Sequence, residues 1–417
     1  MARAVVDVMR YHLGFIFGIS MSRFHRASHF TRSNSTRFLY WAAVLNQVDV
    51  LARAFPKTTP SDGRKRVLFV RFDGIGDYVI WTSSFDLIRS LYPAAAYERI
   101  LVANRSMKDL VDPEMFEQAV FVDQQKFVTN PRYRFSVMRQ VSGFGADVAV
   151  NPRLSREFLW NDSVIRVSGA ARRIGTHGIS NRMTPVQKRI SDRWYDILTP
   201  EPVPGEHECI SNDKFLAFAS EKPEPGVHRP PNIGIPAHFG HGLEPKSFAV
   251  IFPGAHLADK RWPSEKFASV IDHLNDVYGL RCVIAGGSDD TDRAAAIGAL
   301  CRSKPLDLTG KTGLLELTRL IGDARIVITN DTSAAHIAVA EDIPVVVITP
   351  GNHVGRFFPY PDEMDGRTIM QFSALHEMEC FGCCWNCIYS ERPADEPTPC
   401  VKDVPVGTVI AGIQSLL

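Results

Sequence analysis

Three features of the 417-residue chain predict an α/β protein of two similar, doubly wound domains. Short, continuous apolar runs alternate with helix-like segments, the rhythm of parallel strands buried on both faces. That rhythm breaks at a stretch dense in proline and glycine and then starts again. The length exceeds what one hydrophobic core normally supports, so two domains of roughly 150–200 residues each and an appendage are expected.

The composition, 45% hydrophobic and 22% charged, is that of an ordinary globular protein and excludes a disordered or fibrous chain. A formal net charge of +1 conceals an uneven distribution, because residues 1–66 carry eleven Lys and Arg against Asp7, Asp49 and Asp62. A basic leader of this kind suits the anionic face of an inner membrane as well as it suits a solvated pair of basic helices. Nothing indicates nucleic acid. No uncharged apolar run approaches the roughly 20 residues of a spanning helix. The run 11–22 is too short, and Asp7 and the lack of a small-residue cleavage site after Ile19 argue against a signal peptide. The expected location is cytoplasmic, with peripheral association at the inner membrane.

Residues 1–63 read as a basic helical appendage, with Phe15, Phe24, Trp41 and Leu45 interspersed among arginines. From Arg66 the pattern changes to an apolar strand at 67–70, the turn Asp73-Gly-Ile-Gly-Asp77, and a helix to about residue 91. Further strands are expected at 100–103, 119–122 and 147–150, giving an N-terminal domain over 64–222. Between residues 223 and 245 six prolines and four glycines forbid regular structure, so 223–247 is the linker. Its His228, His238 and His241 read as surface residues. The C-terminal domain, 248–417, restarts the rhythm with strands at 249–252, 281–285, 326–329 and 344–348. Helices are expected at 264–278, 290–301, 313–321 and 333–340, and a terminal one at 405–417 after a cysteine-rich loop, 380–400.

Ligands of open α/β sheets bind beyond the carboxyl ends of the strands, which directs attention to three loops. In the first, Gly74 and Gly76 permit a tight strand-to-helix turn, and Asp77 reads as a general base or as the N-cap of the helix. A third glycine and a following acidic residue are missing, so this is not a dinucleotide fingerprint. In the second, Pro253-Gly254 runs into Lys260-Arg261-Trp262-Pro263. Positive charge beside a helix that Ser264 would cap suits a diphosphate, although surface cations are usually only solvated and Trp262 reads as core. In the third, Asn330-Asp331-Thr332-Ser333 ends a strand and opens a helix, an anion site to which Asp331 and Thr332 add polar contacts. Asp331 also suits a plain N-cap.

Five of the eight cysteines lie at Cys380, Cys383, Cys384, Cys387 and Cys400. Cys380, Cys383, Cys387 and Cys400 offer a four-thiolate structural zinc site; reduced thiols are the other reading.

The three loops, in this order and at these separations, resemble glycosyltransferase family 9, the ADP-heptose:lipopolysaccharide heptosyltransferases, over roughly residues 66–360. The family's Gly-Asp dipeptide is matched by Gly76-Asp77, its Pro-Gly by Pro253-Gly254 and its Lys-x-Trp-Pro by Lys260 to Pro263. The Gly-Gly turn is matched by Gly286-Gly287, the Leu-x-Gly-x-Thr segment by Leu308 to Thr312, and the Asn-Asp-Thr-Gly-x-x-His motif by Asn330 to His336. One departure is Ser333, where the family usually has glycine. The basic leader and the dense cysteine loop are others.

The resemblance implies a GT-B fold, two Rossmann-like domains facing a cleft, with the acceptor on the N-terminal domain and a nucleotide sugar, ADP-linked by this family, on the C-terminal one. It implies inversion without a catalytic metal or other required cofactor. Asp77 is then the general base, with Gly74 and Gly76 on the acceptor side, and Gly254, Lys260, Asp331, Thr332, Ser333 and His336 bind the donor. The acceptor would be lipopolysaccharide core or another cell-surface glycan or glycolipid. Two other readings share the architecture: a nucleotide-sugar epimerase and a non-catalytic nucleotide-sugar-binding protein.

Overall fold

Strand β1 (Lys65–Arg71) is buried from Arg66 onward, as its unbroken apolar centre requires of a strand covered on both faces. The structure, a computed structural model, describes residues 36–55, 58, 62–178, 182–201, 203, 205–220, 227–234, 242–384, 386–393 and 395–417. The readings of residues 1–35 and of much of the linker, His238 and His241 included, lie outside these.

Around β1 stand β2 (Tyr97–Asn104), β3 (Gln118–Val122), β4 (Val148–Val150), β5 (Arg172–Thr176) and β6 (Ile197–Thr199), in the order β3-β2-β1-β4-β5-β6. All neighbours are parallel. A second sheet follows with β7 (Phe248–Phe252), β8 (Arg281–Ile284), β9 (Leu306–Asp307), β10 (Ile326–Asn330), β11 (Val345–Ile348) and, after a small hairpin of β12 (Glu363–Met364) and β13 (Arg367–Thr368), β14 (Gln371–Ala374). Its order, β14-β11-β10-β7-β8-β9, repeats that of the first sheet. Both sheets thus reverse direction of winding beside their first strand, between β1 and β4 and between β7 and β10. Such switch points leave a crevice at the strand ends, and all three motifs lie there.

The appendage enters as the helix Thr36–Ala52, which lies along the helix Pro131–Gly143. Asp49 is buried there between Arg134 (2.7 Å) and Arg166 (3.0 Å). A buried pair of this kind is costly to break from one side, because the remaining charge is stranded. This helix is therefore part of the N-terminal domain's wall. The described linker residues 227–234 also touch that domain: Thr82 Oγ1 accepts the Asn232 amide at 2.9 Å, and Ile233 is buried.

Besides the hairpin strands β12 and β13, the strands that the apolar runs did not reveal are β5, β6, β9 and β14. Each is short and none carries a four-residue apolar run: β5 reads RRIGT, β6 ILT, β9 LD and β14 QFSA. They complete the outer parts of the sheets, where one apolar face is enough.

Candidate active site

Asp77 is held at the end of β1 by two constraints. The helix Ile75–Trp81 begins with Gly74 as its N-cap, so Asp77 occupies the third helical position and not the cap. From there its carboxylate reaches back to accept the Gly74 amide at 3.0 Å. A carboxylate has further lone pairs to spare, so this contact fixes the group without using it up. The second constraint is Arg71, fully buried, which donates from Nη2 to the Asp77 carbonyl oxygen (2.9 Å) and pairs through the same nitrogen with Asp73 (3.0 Å).

Across the crevice, the second and third motifs are bolted together by Asn330. Its side-chain amide donates to the Pro253 carbonyl at 2.8 Å, while its carbonyl oxygen accepts the Trp262 backbone N–H at 3.1 Å. Trp262 is fully buried and donates Nε1–H to the Val404 carbonyl, so it is core. Lys260 is thereby carried to Asp331, with Nζ 2.7 Å from the carboxylate. Burial raises the proton affinity of Asp331, but Lys260 and His336 outweigh it and hold the group below the usual carboxylate range.

The helix Ser333–Ala340 opens on Thr332, whose extended backbone makes it the N-cap in place of Asp331. No side chain caps its first turn, which leaves amides of the kind that suit an anion. The helix Ser264–Tyr278 likewise starts from Pro263 and not from a Ser264 cap. Gly254 has a packing reason: a Cβ there would come within 2.3 Å of the Asp290 carboxylate, which itself accepts the Gly287 amide.

The two domains meet at the motifs. A Cβ on Gly76 would lie 2.8 Å from His336 Cδ2 and 3.4 Å from Ser333 Cα. His336 is buried, stacked on Phe358 (4.9 Å between ring centres), with Nδ1 3.0 Å from the Tyr360 hydroxyl. Burial pushes its imidazole down to about 4, so it is neutral at physiological pH. His207 and Glu208 add to the contact, since His207 Nε2 lies 3.0 Å from the Phe357 carbonyl and Glu208 pairs with Arg356 at 2.9 Å.

Residues 224–379 match the model of glycosyltransferase family 9 (heptosyltransferase). Lipopolysaccharide heptosyltransferase 3 of Escherichia coli is 29% identical over 187 residues, 43% of this chain and 49% of that protein. The match therefore spans about half the length of that relative. Among solved structures, a family 9 glycosyl transferase from Veillonella parvula superposes with a TM-score of 0.66 at 17% identity, over 86% of this chain and 98% of that one. E. coli heptosyltransferase WaaC with ADP-2-deoxy-2-fluoro heptose does so with a TM-score of 0.59 at 15% identity, over 84% and 99%. The match to glycosyltransferase family 9 thus covers residues 224–379, and the likeness over most of the chain is one of fold. The chain's two parallel sheets are the GT-B fold expected of that family.

The structure brings together Gly74, Gly76 and Asp77 on one side with Lys260, Asp331, Thr332, Ser333 and His336 on the other. Gly254 lies against Asp290, and its carbonyl accepts from the Asn330 side chain at 3.4 Å. Reading the sequence placed Arg71, Asp73 and Asn330 in or beside the motifs but gave them no role. An arginine ending an apolar strand is a signal of sorts, because a buried guanidinium demands partners nearby.

The cysteine loop is fastened to the same region. Cys380, Cys383, Cys387 and Cys400 line one cavity of about 510 Å³, together with Asp259 and Lys260. Thr398 ties the loop down by donating both its amide and its hydroxyl to the Asp259 carbonyl, each at 3.0 Å. The thiols are of the kind zinc prefers. Among the described residues, however, no three His, Cys, Asp or Glu side chains converge as a ready metal site.

Proposed function

We propose that this chain is an inverting, metal-independent glycosyltransferase that moves a heptose or related sugar from an ADP-linked donor to lipopolysaccharide core or another cell-surface glycan. The observation that carries the reading is the juxtaposition, through the contact of Gly76 with His336, of one carboxylate on the first domain with a cation and a helix start on the second. In this reading residues 64–222 hold the acceptor and 248–417 the donor.

Glycosyl transfer builds negative charge on the departing phosphate. Lys260 and the amides at Thr332 and Ser333 are preorganised to stabilise it, which favours the transition state over the ground state. Inversion needs a single displacement, so one base suffices: Asp77 takes the acceptor hydroxyl proton as the new bond forms. A carboxylate is a weak base toward an alcohol, and the transfer is accordingly concerted with departure of the diphosphate.

Calorimetry with ADP-, GDP-, UDP- and dTDP-sugars on wild type and Lys260→Ala tests the donor side. Selective binding of the ADP-sugar that weakens in the variant is expected; no binding across the panel sinks the donor assignment. Incubating the donor without acceptor separates transfer from epimerisation, since an epimerase turns over the sugar nucleotide alone.

The remaining parts of the proposal concern placement. No helix among the described residues is long and apolar enough to cross a membrane. The reading is a cytoplasmic enzyme drawn to an anionic bilayer by its basic leader. Because the helix Thr36–Ala52 is built into the first domain, the informative deletion is residues 1–35, which should abolish salt-sensitive binding to anionic vesicles. The cysteine cavity is proposed to hold a structural zinc. Elemental analysis of the purified protein decides this: one equivalent of metal, lost in Cys380→Ser, is expected, and metal-free folded protein refutes it.

A further inference from the structure

The helix Pro185–Asp192 of the first domain is amphipathic in the reverse sense. Its inward side is polar: Thr184 at its cap, Gln187 and Ser191 are buried, whereas Val186 and Ile190, one turn apart, are 52% and 43% exposed. The inner side has its own reason. Thr184 and Gln187 cap the helix reciprocally, the Thr184 amide donating to Gln187 Oε1 at 2.8 Å, and Ser191 accepts from the fully buried Arg156 at 2.9 Å. None of this calls for branched apolar side chains on the outside, where a surface helix normally carries polar residues.

The same outer face is basic. Residues 182–193 hold Arg182, Lys188, Arg189 and Arg193 against Asp192 alone. Asp192 is already paired with Arg156 (2.7 Å) and Lys188 (3.0 Å). Of the neighbouring carboxylates, Glu157 is shared by Arg153 (2.5 Å) and Arg182 (3.2 Å), and Asp196 pairs with Arg173 (2.9 Å). Arg189 and Arg193 are exposed and enter no ion pair among the described residues. They follow Val186 by three and seven positions, so cations and aliphatic side chains share one stripe. Strand β5 runs parallel to β4, and β4 to β1, so the chain leaves β5 at the sheet edge that carries Asp77. The stripe therefore starts from the crevice side of the first domain.

We propose that this stripe is a membrane-docking surface, its arginines meeting anionic lipid headgroups while Val186 and Ile190 enter the headgroup layer. This rests on the reading of the enzyme as one that meets a glycolipid acceptor at an anionic membrane. To the basic leader it adds a contact built into the folded domain, with the crevice edge of that domain at the bilayer. A second copy of the chain packed through the same stripe would set arginine against arginine, whereas an anionic leaflet complements it.

The experiment is co-sedimentation of the full chain with vesicles of phosphatidylethanolamine and phosphatidylglycerol, and of phosphatidylcholine alone. It compares wild type, Val186→Ser/Ile190→Ser, Arg189→Ala/Arg193→Ala and the chain lacking residues 1–35. Both helix variants change exposed side chains, so their melting temperatures should stay at the wild-type value. Each should bind the anionic vesicles at least about tenfold more weakly, with binding to phosphatidylcholine weak throughout. Transfer to a vesicle-borne glycolipid should fall with binding, while transfer to the soluble, deacylated glycan stays unchanged. The serine variant keeps the net charge, so its loss cannot come from charge alone. Wild-type binding in both helix variants overturns the inference, and loss only on deletion of residues 1–35 then gives the whole contact to the leader. Helix variants that change the oligomeric state and not vesicle binding overturn it too, in favour of a second copy. If the helix variants weaken binding and the deletion does not, the leader reading fails and this surface stands. Wild type that binds neither vesicle sinks the membrane reading and this surface together.

Discussion

Gly76 of the first domain lies directly against His336 of the second, so closely that a methyl group at Gly76 would stand 2.8 Å from the imidazole. The ring cannot retreat, because Phe358 stacks on it and Tyr360 meets its other edge. Gly76→Ala is therefore expected to wedge the domains apart, displacing Asp77 from the donor side and lowering kcat/KM at least about tenfold. Overpacking costs about 1–3 kcal/mol, so each domain should remain folded. Combining it with His336→Ala should restore part of the loss. A Gly76→Ala enzyme with wild-type kinetics would show that the contact does not set the active geometry.

Asn330 joins Pro253 to Trp262, and with them the loops that present Lys260 and Asp331. In Asn330→Ala a buried N–H and a buried carbonyl lose their partners. The expected cost is about 2–4 kcal/mol, the sum of two desolvated groups. Asn330→Asp keeps an acceptor for the Trp262 amide but sets a buried carboxylate against the Pro253 carbonyl, so at neutral pH its melting temperature should fall below that of the alanine variant. Equal melting temperatures for all three proteins would mean the bonds contribute nothing.

Much of this arrangement was legible in the sequence. The helices 264–278 and 333–340 match the structure residue for residue. The central strands announce themselves because a strand covered on both faces must be apolar throughout. The short outer strands, such as RRIGT and QFSA, carry no such mark. Placing the motifs at strand ends followed from the topology rule alone. Helix caps were less accessible, since Asp77 and Asp331 have the chemistry of caps but Gly74 and Thr332 hold the positions. The least legible features were Arg71 and Asn330, whose importance comes from what they touch: a strand-end arginine and an asparagine before aspartate look unremarkable until the chain is folded.

Lys260 and Asp331 should behave as a unit. The pair is only slightly exposed, at 17% and 8% of the side chains, so each charge depends on the other. Lys260→Ala should weaken donor binding at least about tenfold, and Asp331→Asn should also weaken it by misplacing the lysine. If the role of Asp331 is to aim Lys260, the double variant will bind no worse than Lys260→Ala. Additive losses would instead give Asp331 its own contact with the donor. Lys260→Arg tests whether a cation of different shape can replace the ammonium at this spot.

Acid should destabilise the fold well before the carboxylates as a whole are protonated. Burial depresses His336, and His353 beside the Phe357 ring (5.8 Å between ring centres), to about 4 and His207 to about 3. In the unfolded chain each imidazole binds a proton near pH 6.5, but the folded ones stay neutral far below that. The unfolded state thus binds more protons, and stability is lost as pH falls from about 6.5 toward 4, by about 2 kcal/mol per histidine at pH 5. Asp73 acts in the opposite sense. Its folded value is raised to about 6, so it takes up a proton in the native state first and returns about 1 kcal/mol over the same window. Three histidines outweigh one aspartate, and the melting temperature should fall clearly between pH 7 and pH 5. His336→Asn removes one of these terms. Its melting temperature will be lower at pH 7, where a buried contact is lost, but should decline less steeply on acidification; a slope identical to wild type would mean that His336 does not remain neutral in the native state.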